Sequence, residues 1–130
     1  MLVGGAGDDT LSGKGGADKL LGGTGDDVLT GGKGADHFVF KSVAAVDGDT
    51  IRDFSHAQGD RIDLSAIDAN LDRGGNQAFS FIGNDGFSGK AGQLQYKNGI
   101  VAGDVDGDRV ADFHIDIANH AALHANDFIL

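Results

Sequence analysis

The chain has 130 residues, a formal net charge of −10, 23 glycines, and neither proline nor cysteine. The length fits one domain or a small fused pair, and the charge disfavours nucleic acid and anionic membranes or polysaccharides as partners. Without cysteine there is no disulfide framework, so a domain this small needs another staple, and metal is the available one.

Leu2 and Val3 fit the last two slots of a repeat that starts before the chain does. The chain is therefore expected to be the C-terminal piece of a longer protein. From Gly4 to Val39 four nine-residue units follow without spacers: GGAGDDTLS, GKGGADKLL, GGTGDDVLT and GGKGADHFV. Each has Gly first and fourth, Asp sixth (Asp9, Asp18, Asp27, Asp36) and a large apolar residue eighth (Leu11, Leu20, Leu29, Phe38). The Gly-rich six residues suit turns with left-handed conformations. The last three suit a short strand whose eighth residue points inward. Two units make one coil, so units one and three stack on one side and two and four on the other. Coils about 4.8 Å apart bring Asp9 near Asp27 and Asp18 near Asp36. Such carboxylates repel unless a cation lies between them, and calcium suits a gap of carboxylates and carbonyls. All the acidic residues are Asp, a short carboxylate held close to its own backbone.

The units resemble the RTX (repeats-in-toxin) nonapeptides of exported Gram-negative proteins. The resemblance implies one calcium site from Gly5, Gly7 and Asp9 with Gly22, Thr24 and Asp27. It implies a second from Lys14, Gly16 and Asp18 with Gly31, Lys33 and Asp36. Lys14 departs from the pattern, standing where the other units have Gly. If that position needs positive φ, Lys there costs about 1–2 kcal/mol.

After Phe40 the period ends. Residues 41–50 read as a polar loop, Ile51 and Phe54 as a strand, Gln58-Gly59 as a turn, and Ile62 and Leu64 as a strand. Ser65 is a plausible N-cap for a short helix, with Asp68 three residues on. A strand is expected over 78–82 with Phe79 and Phe81. Next comes a hairpin from Gln93–Tyr96 through Asn98-Gly99 to Ile100-Val101. A strand over 110–117 should bury Phe113, Ile115 and Ile117, and Asp127–Leu130 should form a closing strand. The predicted fold is all-β: a parallel β-roll over 1–39 continuing into a β-sandwich-like part over 40–130.

This second part, with DTIRDF, GDRIDLSAIDA, GDVDGDRVADFHIDI and a terminal DFIL, resembles the C-terminal domain of serralysin-type metalloproteases. The resemblance implies a third calcium held by Asp53 and Asp60, completed by Gly23, Gly25 and Asp27. It also implies an uncleaved secretion signal, Asp127, Phe128, Ile129 and Leu130, read by an ABC-type exporter.

Other motifs carry less. Asp104, Asp106 and Asp108 alternate like the start of a calcium loop, but Arg109 and Ile115 stand where an EF-hand needs Gly and Glu; a tight turn is the reading. His120 and His124 have zinc-like spacing without an accompanying Cys or Glu. There is no signal peptide, no apolar run that spans a bilayer, and no nucleophile elbow or phosphate loop. The expectation is a non-enzymatic, extracellular, calcium-dependent folding and secretion module with two or three Ca2+. A passenger enzyme, a metalloprotease by the resemblance, would precede it. The alternative is a carbohydrate-binding module that positions an exported polysaccharide-modifying enzyme.

Overall fold

A computed structural model describes residues 1–130. Its strands are β1 (Leu2–Ala6), β2 (Thr10–Ser12), β3 (Lys19–Thr24), β4 (Val28–Thr30), β5 (His37–Val39), β6 (Asp49–Ile51), β7 (Arg61–Asp63), β8 (Ser80–Phe81), β9 (Gln93–Lys97), β10 (Ile100–Asp104), β11 (Phe113–Ile117) and β12 (Phe128–Ile129). They form a five-stranded sheet, β1-β3-β5-β7-β12, and a seven-stranded sheet, β2-β4-β6-β11-β10-β9-β8. Consecutive strands of the roll alternate between the two sheets, as two units per coil require.

The eighth-position residues set the register. Leu2, Leu20, Phe38, Ile62 and Phe128 are paired rung by rung through the first sheet. Leu11, Leu29, Ile51 and Ile117 do the same in the second. Both ladders of apolar residues thus run past the last repeat, to Phe128 in one sheet and Ile117 in the other, and one core of 20 buried residues serves the whole chain. All the strand pairs of the roll are parallel. The seven-stranded sheet turns antiparallel at β11–β10 and β10–β9. Asn98 (φ 53°) and Gly99 (φ 77°) make the left-handed tip of the β9–β10 hairpin, the two positive dihedrals a type I′ turn demands.

In β11, Phe113, Ile115 and Ile117 are buried while His114 and Asp116 face solvent, as the alternation predicts. Phe79 meets Phe113 edge to face, at a centroid separation of 5.7 Å and 84°. The Asp127–Leu130 segment enters through a 3-10 turn, Ala125–Asp127, and only Phe128–Ile129 pairs, parallel to β7.

One expected element is absent. The helix opening at Ser65 does not form; residues 65–72 are turns. The Ser65 hydroxyl donates to the Asp63 carboxylate, which also accepts the Ser65 N–H. Asp68 likewise accepts the N–H groups of Asn70 and Gln77. These local side-chain bonds offer the backbone an alternative to helix, and the segment is too short to repay helix nucleation.

Phe38 is fully buried, on the central strand of the five-stranded sheet, 6.4 Å from Phe54 between ring centroids. Phe38→Ala is expected to lower stability by about 3–5 kcal/mol, read as a lower midpoint of urea unfolding in saturating calcium with an unchanged slope.

Candidate metal centre

From the third unit on, the Asp of each turn has its two carboxylate oxygens in different situations, and Oδ1 forms a rung to the coil before it. Asp27 Oδ1 accepts the Asp9 N–H at 2.8 Å, and Asp36 Oδ1 accepts the Asp18 N–H at 2.8 Å. Asp49 Oδ1 accepts the Asp27 N–H at 2.8 Å, and Asp60 Oδ1 accepts the Asp36 N–H at 3.0 Å. The other oxygen, Oδ2, is buried without a hydrogen-bond partner in Asp9, Asp18, Asp27, Asp36 and Asp49. A buried acceptor left unpaired costs about 1–3 kcal/mol, more when charged. Three of them, on Asp9, Asp27 and Asp49, follow one another on one side of the roll and two, on Asp18 and Asp36, on the other, an arrangement that suits a cation.

The glycines are required by these carboxylates. A Cβ on Gly4 would lie 2.6 Å from Asp9 Oδ2, and one on Gly13 2.7 Å from Asp18 Oδ2. The first glycine of a unit therefore makes room for that unit's own Asp. Gly5 and Gly23 take positive φ (118° and 119°), and a Cβ on Gly23 would run into the Gly5 carbonyl of the coil before it. Lys14, at the same place in the second unit, also takes positive φ, 69°, so the strain anticipated for it is present.

The structure brings together both sets of residues implied for the first two sites. The turn carrying Gly5, Gly7 and Asp9 lies against the one carrying Gly22, Thr24 and Asp27. The turn carrying Lys14, Gly16 and Asp18 lies against Gly31, Lys33 and Asp36. The Thr24 carbonyl accepts the Gly7 N–H at 2.7 Å, and the Lys33 carbonyl accepts the Gly16 N–H at 2.8 Å, which leaves each one lone pair for a cation. The Lys14 carbonyl accepts the Lys33 N–H at 3.1 Å.

The third set is arranged differently. Asp53 and Asp60 do not meet Gly23, Gly25 and Asp27. Asp53 accepts the N–H groups of Gly31 and Gly32 at 2.9 and 2.8 Å, and Asp60 accepts those of Asp36 and Ser55. The reason is the alternation: the loop after β6 stacks on the turn after β4, which is the fourth unit. All four oxygens of Asp53 and Asp60 bond N–H groups, so both cap the end of the roll. The third unit is instead covered by the loop that ends in Asp49, a residue overlooked in the sequence. The missed signal is Asp-x-apolar: Asp49-Thr50-Ile51 and Asp60-Arg61-Ile62 repeat the spacing of Asp27-Val28-Leu29, behind lengthened loops.

Burial pushes the Asp49 carboxyl up to about 7, against the Asp27 N–H that holds it down, with the charges of Asp27, Asp26 and Asp47 adding to the rise. Burial also raises Asp60, opposed by the N–H groups of Asp36 and Ser55.

Asp104, Asp106 and Asp108 form a turn. Asp104 accepts the N–H groups of Gly107 and Arg109, Asp106 that of Asp108, and Asp108 that of Val110. No helix of the structure is long and apolar enough to cross a membrane.

Residues 2–38 match the family model described as the RTX calcium-binding nonapeptide repeat, in four copies. Over these residues the turns are similar to RTX repeats. RTX repeats bind calcium, and the donors found here fit that ion: carboxylates and backbone carbonyls, all oxygen, arranged around buried oxygens that lack partners. No curated protein sequence matches the chain. Among solved structures, the fold is similar to the AlgE6R3 subunit of the Azotobacter vinelandii mannuronan C5-epimerase, determined in solution. That similarity has a TM-score of 0.60 at 24% identity and covers 97% of this chain and 79% of the other. It supports an all-β fold over nearly the whole chain.

Two outcomes test this centre. Because Asp49 titrates higher folded than unfolded, its contribution to stability is full below about pH 4 and is lost as pH rises through about 7. In chelator the chain should therefore lose stability between pH 4 and pH 7, and Asp49→Asn should flatten that loss while weakening calcium binding. Urea unfolding at several pH values, with and without calcium, reads both effects. Gly22→Ala should weaken calcium binding at least tenfold in calorimetric titration, because the added methyl takes the place of Asp27 Oδ2.

Proposed function

We propose that this chain is a calcium-dependent folding module of an exported protein. The observation that carries the reading is the set of five buried carboxylate oxygens without partners. Calcium bound between turns supplies positive charge to the oxygens that no N–H reaches. Asp9, Asp27 and Asp49 hold it on one side of the roll, and Asp18 and Asp36 on the other, with carbonyls of the stacked turns. Asp53 and Asp60 close the last turn.

Where free calcium is scarce, as in a bacterial cytosol, the aligned carboxylates repel and a Gly-rich backbone has a large entropy to lose. The chain stays extended and fits a narrow exporter. Outside the cell, calcium reaches the range in which extracellular modules bind, and binding only to the folded form stabilises it by linkage. Asp127, Phe128, Ile129 and Leu130 serve as the address of an ABC-type exporter while unfolded and pack against β7 once folded. The module is non-catalytic, and its passenger is an enzyme joined to its N-terminal side. The resemblance of the second half suggests a metalloprotease.

A second reading is supported by the similarity to a subunit of a mannuronan C5-epimerase: a roll that holds a polysaccharide-modifying enzyme on its substrate. Retention of the calcium-loaded chain on immobilised polymannuronate would favour it.

The first reading predicts that far-ultraviolet circular dichroism in chelator at neutral pH, where the buried carboxylates are charged, shows a largely unfolded chain. The β signal should appear with calcium between micromolar and millimolar concentrations and not with magnesium. A chain fully folded in chelator that binds no calcium would sink it.

A further inference from the structure

The geometry points to a second kind of metal site, formed by His56, His124 and Asp127, which takes a divalent transition ion such as Zn2+ and fastens the C-terminal strand to the end of the roll. Three potential ligand atoms, one from each residue, lie within 4.8 Å of one another. The Asp127 side chain is 3% exposed, and each of its oxygens faces an imidazole. Oδ1 lies 2.5 Å from His56 Nδ1, and Oδ2 lies 3.4 Å from His124 Nδ1. The two rings are 4.7 Å apart between centroids and inclined by 52°. They are not stacked; their Nδ1 edges converge on one carboxylate.

Two of the three ligands are positioned by one turn. The His124 N–H donates to Asp127 Oδ2 at 2.7 Å, and the Asp127 N–H donates to the His124 carbonyl at 3.0 Å. The third comes from the 3-10 turn His56–Gln58, capped by the Ser55 hydroxyl and by Gly59 in a left-handed conformation. That turn lies in the loop whose Asp60 closes the fourth unit. The zinc-like spacing of His120 and His124 is thus not the pair that forms. His120 packs against Gly99 at the hairpin tip, and the partner of His124 is His56.

The donor set selects the ion. Two imidazoles and a carboxylate suit zinc and its neighbours, whereas calcium takes oxygen. In a tetrahedral zinc site with bonds of about 2.0–2.1 Å, neighbouring ligand atoms are about 3.3 Å apart. The Asp127–His124 separation already matches. With Oδ2 as the ligand oxygen and both imidazoles protonated on Nε2, so that each Nδ1 keeps its lone pair for the ion, His56 Nδ1 has to turn away from Oδ1, which it now meets at 2.5 Å. Its side chain is 48% exposed and free to make that adjustment. The exposed sides of both rings leave a coordination position for water, as three-ligand zinc sites do. A bound ion would join the loop before β7 to the turn before β12, across the pair those strands already form.

The test is titration of the full chain with ZnCl2 in millimolar calcium, which keeps the roll carboxylates occupied. One zinc per chain is expected. His56→Gln and His124→Gln should each weaken it at least tenfold, while His114→Gln and His120→Gln leave it unchanged. Zinc should also slow amide exchange at Phe128 and Ile129. X-ray absorption of the zinc-loaded wild type reads the ligands without any substitution and should show two imidazoles. An oxygen-only shell, no binding up to millimolar zinc, or unchanged affinity in both His56→Gln and His124→Gln would overturn the proposal.

Discussion

One geometric constraint governs the repeats: the sixth-position carboxylates Asp27 and Asp36 each bond the backbone of the preceding coil with one oxygen and leave the other without a partner. The rung from Asp27 to the Asp9 N–H fixes the stacking distance and direction of the coils. The oxygen left over makes that stacking unfavourable in the absence of a cation. Register and the unpartnered acceptor therefore come from the same side chain. The first glycine of each unit follows from it, since any side chain there would occupy the place of the free oxygen.

The apolar ladders impose the complementary constraint. Asp sits two residues before each inward-pointing residue, so the turns can align only if Leu20, Phe38 and Ile62 align as well. Beyond the repeats the same relation survives in Asp49 with Ile51 and Asp60 with Ile62. The loops before them are longer because they no longer have to be nonapeptide turns. Asp53 and Asp60 then finish the last coil with N–H bonds to every oxygen. Past that point β12 and β11 still join the two sheets in parallel, and antiparallel pairing is confined to β11–β10 and the β9–β10 hairpin, whose Leu94 and Val101 enter the common core.

Much of this was legible from spacing. The period of nine located the turns, the strands and four of the five carboxylates with an unpartnered oxygen. Asn98-Gly99 and the alternation from Phe113 to Ile117 located the hairpin and its neighbour. What was not legible lay where loop length hides register. Asp49 stands 22 residues from its rung partner, where the repeats have 18, so counting by nines passes over it. Asp53 and Asp60 were assigned to the wrong face of the roll because the parity of the coil was not followed through β6. The Ser65 helix failed because Asp63 and Asp68 compete for the same N–H groups. The contact of His56 with Asp127 spans 71 residues and has no local signature.

The alternation of strands between two sheets also quantises the length of the chain. A single nonapeptide more or less would move every later strand to the opposite sheet. The four-residue-longer loop before Asp49 and the two end-closing carboxylates would then arrive under the wrong turns. Eighteen residues, one complete coil, is the smallest change that preserves all the pairings. Lineages of such rolls should therefore grow and shrink by whole coils, with the closing segment carried along unchanged.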